Sequence, residues 1–262
     1  MAPTGDSRDA EALDRGENGS KPQPRDIEFA IDPRRVLRVL LMVTAVLVVL
    51  STAGQAMVYY LPDFPLRDSI ANLLYVDMEQ NLPTLYSSLM LLVAALLFGV
   101  IAHAHGRGDR AYVRHWTALS VAFVLLAFDE FASIHERDSD RLRGLLGIEG
   151  GPLFFAWVVP GAAVVAVFGI AFLRFLRHLP RPTRRRLLAA GILFLSGAIG
   201  LELVGGSYSA VHGQLNMSYV LIATVEETLE MVGAAVLLYG LLAYIPVILP
   251  DTGWRLRVTA VD

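Results

Sequence analysis

Residues 39–60 read VLLMVTAVLVVLSTAGQAMVYY, an apolar run of 22 residues without a charged side chain. A helix adds 1.5 Å per residue, so about 20 such residues cross the roughly 30 Å of hydrocarbon in a bilayer. Five more apolar runs of similar length follow, ending near residues 105, 136, 175, 208 and 244. The sequence therefore predicts an all-α fold, a bundle of six transmembrane helices.

Composition agrees with a membrane protein. The 262 residues are 55% hydrophobic and 18% charged, whereas soluble domains carry about 25% charged residues. The chain has no cysteine, which excludes disulfides, thiolate metal sites and cysteine nucleophiles. A net charge of only −3 argues against a nucleic-acid partner. Arginine greatly outnumbers lysine, which is typical of GC-rich coding, so we expect a bacterial cytoplasmic (inner) membrane as the location and the lipid bilayer as the partner.

Three segments are predicted along the chain. Residues 1–31 are polar and rich in Gly and Pro, without the basic and apolar pattern of a signal peptide, and predict a disordered cytoplasmic tail. The transmembrane domain is predicted at residues 32–245. A short cytoplasmic tail is predicted at residues 246–262.

The distribution of arginine predicts the orientation, because short cytoplasmic loops are enriched in positive residues. With the N-terminus inside, the predicted cytoplasmic flanks hold far more arginines than the outer ones, which contain Arg67, Arg137, Arg141 and Arg143. Both termini are therefore expected in the cytoplasm. The long outer connection, residues 62–82, contains SIANLLYVDMEQN (residues 69–81), which is compatible with an interfacial helix.

Acidic residues interrupt three of the six apolar runs. The third run ends in AFDEFASIHE (residues 127–136), and the fifth and sixth also carry acids; the full set is Asp129, Glu130, His135, Glu136, Glu202, Glu226, Glu227 and Glu230. In the predicted orientation, the acids inside the runs all lie between the midplane and the outer surface. In one continuous helix, Asp129, Ser133 and Glu136 would share a face.

These acids need a compensating positive charge. An ionised side chain at mid-bilayer costs at least about 2.5–3.5 kcal/mol, and no arginine or lysine lies within the spans to pair with them. Protons or a bound cation must therefore compensate. Carboxylates with a histidine and no sulfur suit a divalent metal ion such as iron, manganese, zinc or calcium. The predicted metal ligands are Asp129, Glu130, Glu202, Glu226, Glu227 and Glu230, with His135 and Glu136 as catalytic acid/base residues.

Two known metal motifs are not matched. Position 139 is Ser139, so His135 and Glu136 do not begin an H-E-x-x-H zinc protease motif. No E-x-x-H pair of the di-iron bundles lies within the spans. The segments NLPTLYSSL (residues 81–89), FDEFASIHE (residues 128–136) and VEETLEMVG (residues 225–233) instead resemble an uncharacterised group of bacterial multi-pass membrane proteins. That resemblance implies a membrane protein and no particular activity.

Three functions fit these observations. The first is a metal-dependent membrane enzyme, either a hydrolase using a metal-bound water or an oxidase using iron, that acts on a lipid-like or small substrate. The second is a cation or proton channel or transporter that uses the same acids as transit sites. The third is a scaffold or sensor whose acids only hold helices together. Acids confined to the outer half weigh against a complete conduit and favour the enzyme.

Overall fold

The computed structural model describes residues 27–107, 112–137, 139–249 and 255–258, with the backbone alone at residues 27–30, 107, 136 and 255–258. It divides into two compact units. In the first, strand β1 (Ile27–Ala30) pairs antiparallel with strand β2 (Arg255–Val258), and Ile27 lies opposite Val258. Most of the two predicted tails lies outside the described residues.

The second unit is helical. Its described α-helices are α1 (Pro33–Tyr60), α2 (Arg67–Leu74), α3 (Leu82–Arg107), α4 (Val113–Ala132), α5 (Ile134–Arg137), α6 (Ser139–Leu146), α7 (Val158–His178), α8 (Arg181–Leu195), α9 (Glu202–His212) and α10 (Met217–Ile248). A 3-10 turn covers Gly151–Leu153, and a π-helical segment, Ser196–Leu201, joins α8 to α9.

The prediction of an all-α bundle with six membrane-spanning helices is confirmed. Among the described residues, six helices are long and apolar enough to cross a membrane: α1, α3, α4, α7, the continuous helix of α8 and α9, and α10. The cytoplasmic location of the termini stays a prediction. We call the end of the bundle that holds Tyr60, Leu82, Ala132 and Met217 the outer end, after the predicted orientation, and the opposite end the inner end.

Three of these helices begin at side-chain caps. Asp32 accepts a hydrogen bond from the backbone N–H of Arg34 at 2.9 Å, and Pro33 occupies the first position of α1. Asn81 and Asn216 cap α3 and α10 in the same way. Each cap satisfies a backbone donor that the helix leaves without a partner, so these residues fix where the spans begin.

The packed centre is formed chiefly by α3 and α10. Toward the inner end it is apolar and includes Phe98, Ile101 and Leu241, which are almost fully buried. Trp116 of α4 stacks on Tyr244 of α10, with ring centroids 5.5 Å apart. This half of the bundle is a close-packed core.

The third span ends earlier than expected. A single helix through Glu136, with Asp129, Ser133 and Glu136 on one face, is wrong. Helix α4 ends at Ala132 because Ser133 adopts a left-handed conformation (φ 53°, ψ 42°), and α5 starts a new direction at Ile134. A left-handed residue cannot continue a right-handed helix.

The outer connection folds back into the bundle. After α2, the backbone N–H of Val76 donates to the hydroxyl of Ser51 at 3.0 Å, and the Val76 side chain is buried. Ser51 lies nine residues before the end of α1, or roughly 14 Å below its outer end. The expected interfacial helix is therefore present only as the short α2, and residues 75–81 descend to the level of the spans.

Candidate functional site

The acids of α10 lie against the π-helical segment. Glu226, Glu227 and Glu230 are half-buried, and positions 226 and 230 share a face of the helix. A Cβ atom at Gly197 would lie 2.7 Å from the backbone oxygen of Glu226 and 2.8 Å from Cγ of Glu230. Only glycine fits at this position, so the π-helical segment touches α10 directly beside its acids.

Glu202 and Glu226 form a carboxyl pair. Their side chains hydrogen-bond to each other, and the indole Nε1–H of Trp157 donates to Oε1 of Glu202 at 2.5 Å. Ionised carboxylates have only acceptors, so two carboxyl groups can hydrogen-bond only when one carries a proton. This contact between Glu202 and Glu226 is therefore compatible with one proton shared by the two groups.

Glu227 and Glu230 lie within electrostatic range of this pair, and Glu130 lies within range of Glu227 and Glu230. Glu227 has Glu130, Glu226 and Glu230 among its charged neighbours. Glu230 has Glu130, Glu202 and His135 among its charged neighbours. We use the name acid cluster for the acids of α4, α9 and α10 that these interactions connect, Glu130, Glu202, Glu226, Glu227 and Glu230. That they form one functional site stays a prediction.

Asp129 and His135 form a hydrogen-bonded pair beside the acid cluster. Oδ2 of Asp129 lies 2.8 Å from Nδ1 of His135, and Oδ1 accepts the backbone N–H of His135 at 3.2 Å. The left-handed turn at Ser133 brings His135 back onto α4. The His135 ring also packs edge-on against Trp157, with centroids 4.7 Å apart. Asp129 therefore connects through His135 and Trp157 to Glu202.

Two further acids, Asp77 and Glu79, were missed by the sequence analysis. Asp77 is a charged neighbour of Glu226 and Glu227, and Glu79 of Glu230. Both belong to residues 75–81, which were assigned to an outer loop. The hydroxyl of Tyr75 donates to Asp77 at 2.9 Å, and burial, with the Asp77 charge, raises the pKa of Tyr75, so that this hydroxyl stays a donor.

The polar residues in the outer halves of α1 and α3 indicate this fold-back in the sequence. The buried side chains there include Ser51, Gln55, Thr84, Ser87 and Ser88. Ser51 holds residue 76, as described above, and Thr84 donates to the backbone oxygen of Met78 at 3.1 Å. Buried polar groups need partners, and in a membrane span they can predict an entering loop.

The acid cluster is closed toward the inner end. On α10, the residues that follow Glu230 toward the inner end include Met231, Ala234 and Leu238, all buried and apolar. On α3, Met90, Ala94 and Phe98 follow the buried serines in the same direction. An apolar core therefore lies on the inner side of the acids, whereas Asp77 and Glu79 interact with them from the outer connection.

Ligand geometry for a metal ion is not formed in the described part of the chain. There, no group of three or more histidine, aspartate and glutamate side chains is arranged to hold an ion. The predicted metal ligands and the predicted catalytic roles of His135 and Glu136 stay predictions, and the side chain of Glu136 lies outside the described residues. The arrangement can share protons, pair a carboxylate with a histidine and present several oxygen donors.

Comparison with known families matches residues 40–245 to a domain of unknown function (DUF8692), so the chain belongs to this family. The match agrees with the resemblance to an uncharacterised group. No curated protein and no solved structure matches the chain. The description of this family names no activity.

Proposed function

We propose that this member of the DUF8692 family is a metal-dependent membrane enzyme whose site is accessible from the outer end of the bundle. The observation that carries the proposal is that acids of three helices interact electrostatically, with an apolar core on their inner side. A site with access from one side suits the binding and conversion of a substrate. A lipid-like or small substrate could reach it from the outer half of the membrane.

The donor set supports the choice of ligand. Carboxylate oxygens with one imidazole suit iron, manganese, zinc or calcium. In the proposed site Glu130, Glu202, Glu226, Glu227 and Glu230 supply the oxygens. Since they do not stand in ligand geometry, Glu202 and Glu226 would have to release their shared proton and rotate toward the ion. Binding would therefore release protons.

Asp129 and His135 support a catalytic role. A carboxylate that holds one ring nitrogen of a histidine fixes its orientation, whether the histidine is a metal ligand or an acid/base group. We assign His135 to one of these roles and Asp129 to positioning it. Glu136 is the second acid/base candidate. When bound, a divalent ion would supply Lewis acidity and an activated water or oxygen.

Elemental analysis of the detergent-purified protein tests the proposal. We expect about one or two divalent ions per chain, removed by a chelator. Glu227→Gln and Glu230→Gln should lower the metal content, while Glu149→Gln, on an exposed connection, should not. A wild-type protein without metal, or equal metal content in all three variants, would refute the metal site.

A second function, proton transport, is favoured by the hydrogen bond between Glu202 and Glu226, which needs a proton. In proteoliposomes, a pH gradient would then drive proton flux, reported by a pH-sensitive dye, and Glu226→Gln would abolish it. Flux in metal-free protein would select this function. The absence of both flux and metal would leave the scaffold or sensor.

A further inference from the structure

A cavity of about 580 Å³ lies at the outer end of the bundle, where α3 begins and α4 ends. Its rim is polar and is formed by Gln80, Asn81 and Arg137. Its floor is apolar and is formed by Leu85, Phe128 and Phe131. The cavity is therefore amphipathic, and among its described lining residues Arg137 carries a charge.

The depth of the floor fits the boundary of a bilayer. Leu85 lies three residues into α3 and Phe128 four residues before the end of α4, so both lie roughly 5–6 Å deeper than the helix ends. Phe128 and Phe131 are more than half exposed, at 61% and 54%. Aromatic rings near the end of a membrane span lie at the boundary between the headgroups and the acyl chains.

The rim supplies a positive charge. The Arg137 side chain is exposed, and no hydrogen bond or ion pair joins it to another side chain in the described part of the chain. Two other outer arginines are engaged: Arg67 pairs with Asp63 and Asp68, and Arg143 with Asp140.

The other two polar rim residues differ in whether their side chains already make hydrogen bonds. Asn81 gives its amide N–H groups to the backbone oxygens of Asn72 and Tyr75. Gln80 is exposed. The rim therefore presents Arg137, with Gln80 beside it, as the donors for an anion.

We propose that this cavity binds an anionic phospholipid of the outer half of the membrane, with the phosphate on Arg137 and an acyl chain over Phe128 and Phe131. Arginine forms charge-assisted, paired hydrogen bonds with phosphate, and the apolar floor below it selects a lipid over a soluble anion. The site needs no metal ion, so it stands independently of the proposed function.

Lipid retention on the purified full-length chain, measured by native mass spectrometry, tests the site. Phosphatidylglycerol should be retained in preference to phosphatidylcholine. Arg137→Gln should lower phosphatidylglycerol retention about fivefold, which corresponds to one arginine at a membrane surface. Arg141→Gln, which removes another exposed outer arginine away from the cavity, should not lower it.

Further arms test the floor and the source of the phosphate. Phe131→Ala should weaken retention of both lipids, whereas Leu125→Ala, an exposed position on the same helix outside the cavity, should not. Equal retention of the two lipids by the wild type would overturn the proposal, and so would equal loss of phosphatidylglycerol in Arg137→Gln and Arg141→Gln or in Phe131→Ala and Leu125→Ala. Displacement of phosphatidylglycerol by inorganic phosphate would also overturn it, because it would indicate a phosphate site only.

Discussion

Replacing Gly197 by alanine tests how the acid cluster is built. The added methyl would lie 2.7 Å from the backbone oxygen of Glu226, about 0.8 Å closer than ordinary contact distances of at least about 3.5 Å. The oxygen belongs to the backbone of α10, so relief requires a shift of α10 or of the π-helical segment. Either shift moves Glu226 relative to Glu202.

The cost can be bounded from packing data. Inserting a methyl group into a filled site typically costs about 1–3 kcal/mol, and the better helix propensity of alanine returns up to about 1 kcal/mol. The net destabilisation should be about 1–2 kcal/mol. For a chain of this size, this corresponds to a melting temperature roughly 2–8 °C lower.

Thermal unfolding of the detergent-purified protein measures the effect, and Gly191→Ala is the matched control. Gly191 lies in α8, and a Cβ there meets no atom within 4 Å. The control should therefore keep or slightly raise the melting temperature. Equal melting temperatures for the two variants would refute the close contact of the π-helical segment with α10.

Four further predictions concern the site and the orientation. Asp129→Asn weakens the half-buried hydrogen-bonded pair with His135 and should lower the melting temperature by a few degrees, since such a contact contributes about 1 kcal/mol. Asp140→Asn at the surface is the control, and an unchanged melting temperature together with metal-free wild type would contradict the metal site. Trp157→Phe removes the N–H donated to Glu202 and, if the proposed site exists, should reduce metal content while leaving the fold intact by circular dichroism; full metal content would argue against this positioning role. Metal affinity should rise with pH, because the ion competes with the proton that Glu202 shares, and calorimetry in two buffers of different ionisation enthalpy should show proton release. Reporter fusions between α7 and α8 should indicate the cytoplasm, and fusions between α9 and α10 the outside; the reverse would invert the orientation.

The six spans could be predicted because each depends mainly on one property, the hydrophobicity of its side chains. A run of about 20 apolar residues has no better environment than the bilayer, whatever its neighbours are. The start of α1 could be predicted from adjacent residues alone, since Asp32 supplies a cap and Pro33 a first-turn proline. The spans and the start of α1 depend on composition and on adjacent residues, so they can be predicted without knowledge of tertiary contacts.

The break after Ala132 could not be predicted in this way. Serine has no strong preference for the left-handed conformation that Ser133 adopts. The turn at Ser133 is accompanied by tertiary contacts of His135, which pairs with Asp129 and packs on Trp157. The π-helical segment depends in the same way on a tertiary contact, the close approach of α10 at Gly197.

The fold-back of residues 75–81 shows why the acids predicted from the sequence did not include Asp77 and Glu79. Hydropathy treats α1 as one apolar run, yet its buried residues are Thr44, Ser51, Gly54 and Gln55. Its exposed large side chains include Val39, Val43, Val46, Val49 and Leu50. In a membrane helix the surroundings are apolar, so the polar face turns inward, the reverse of a soluble helix. Once that face is recognised, the polar residues of α1 and α3 define a pocket that a polar loop can enter, and Asp77 and Glu79 enter with it. The acids of α4, α9 and α10 thus share their surroundings with groups from the outer connection. A substrate or cation that approaches from the outer end would meet this connection before it reaches Glu230. We therefore expect substitutions within residues 75–81 to change the specificity of the proposed site.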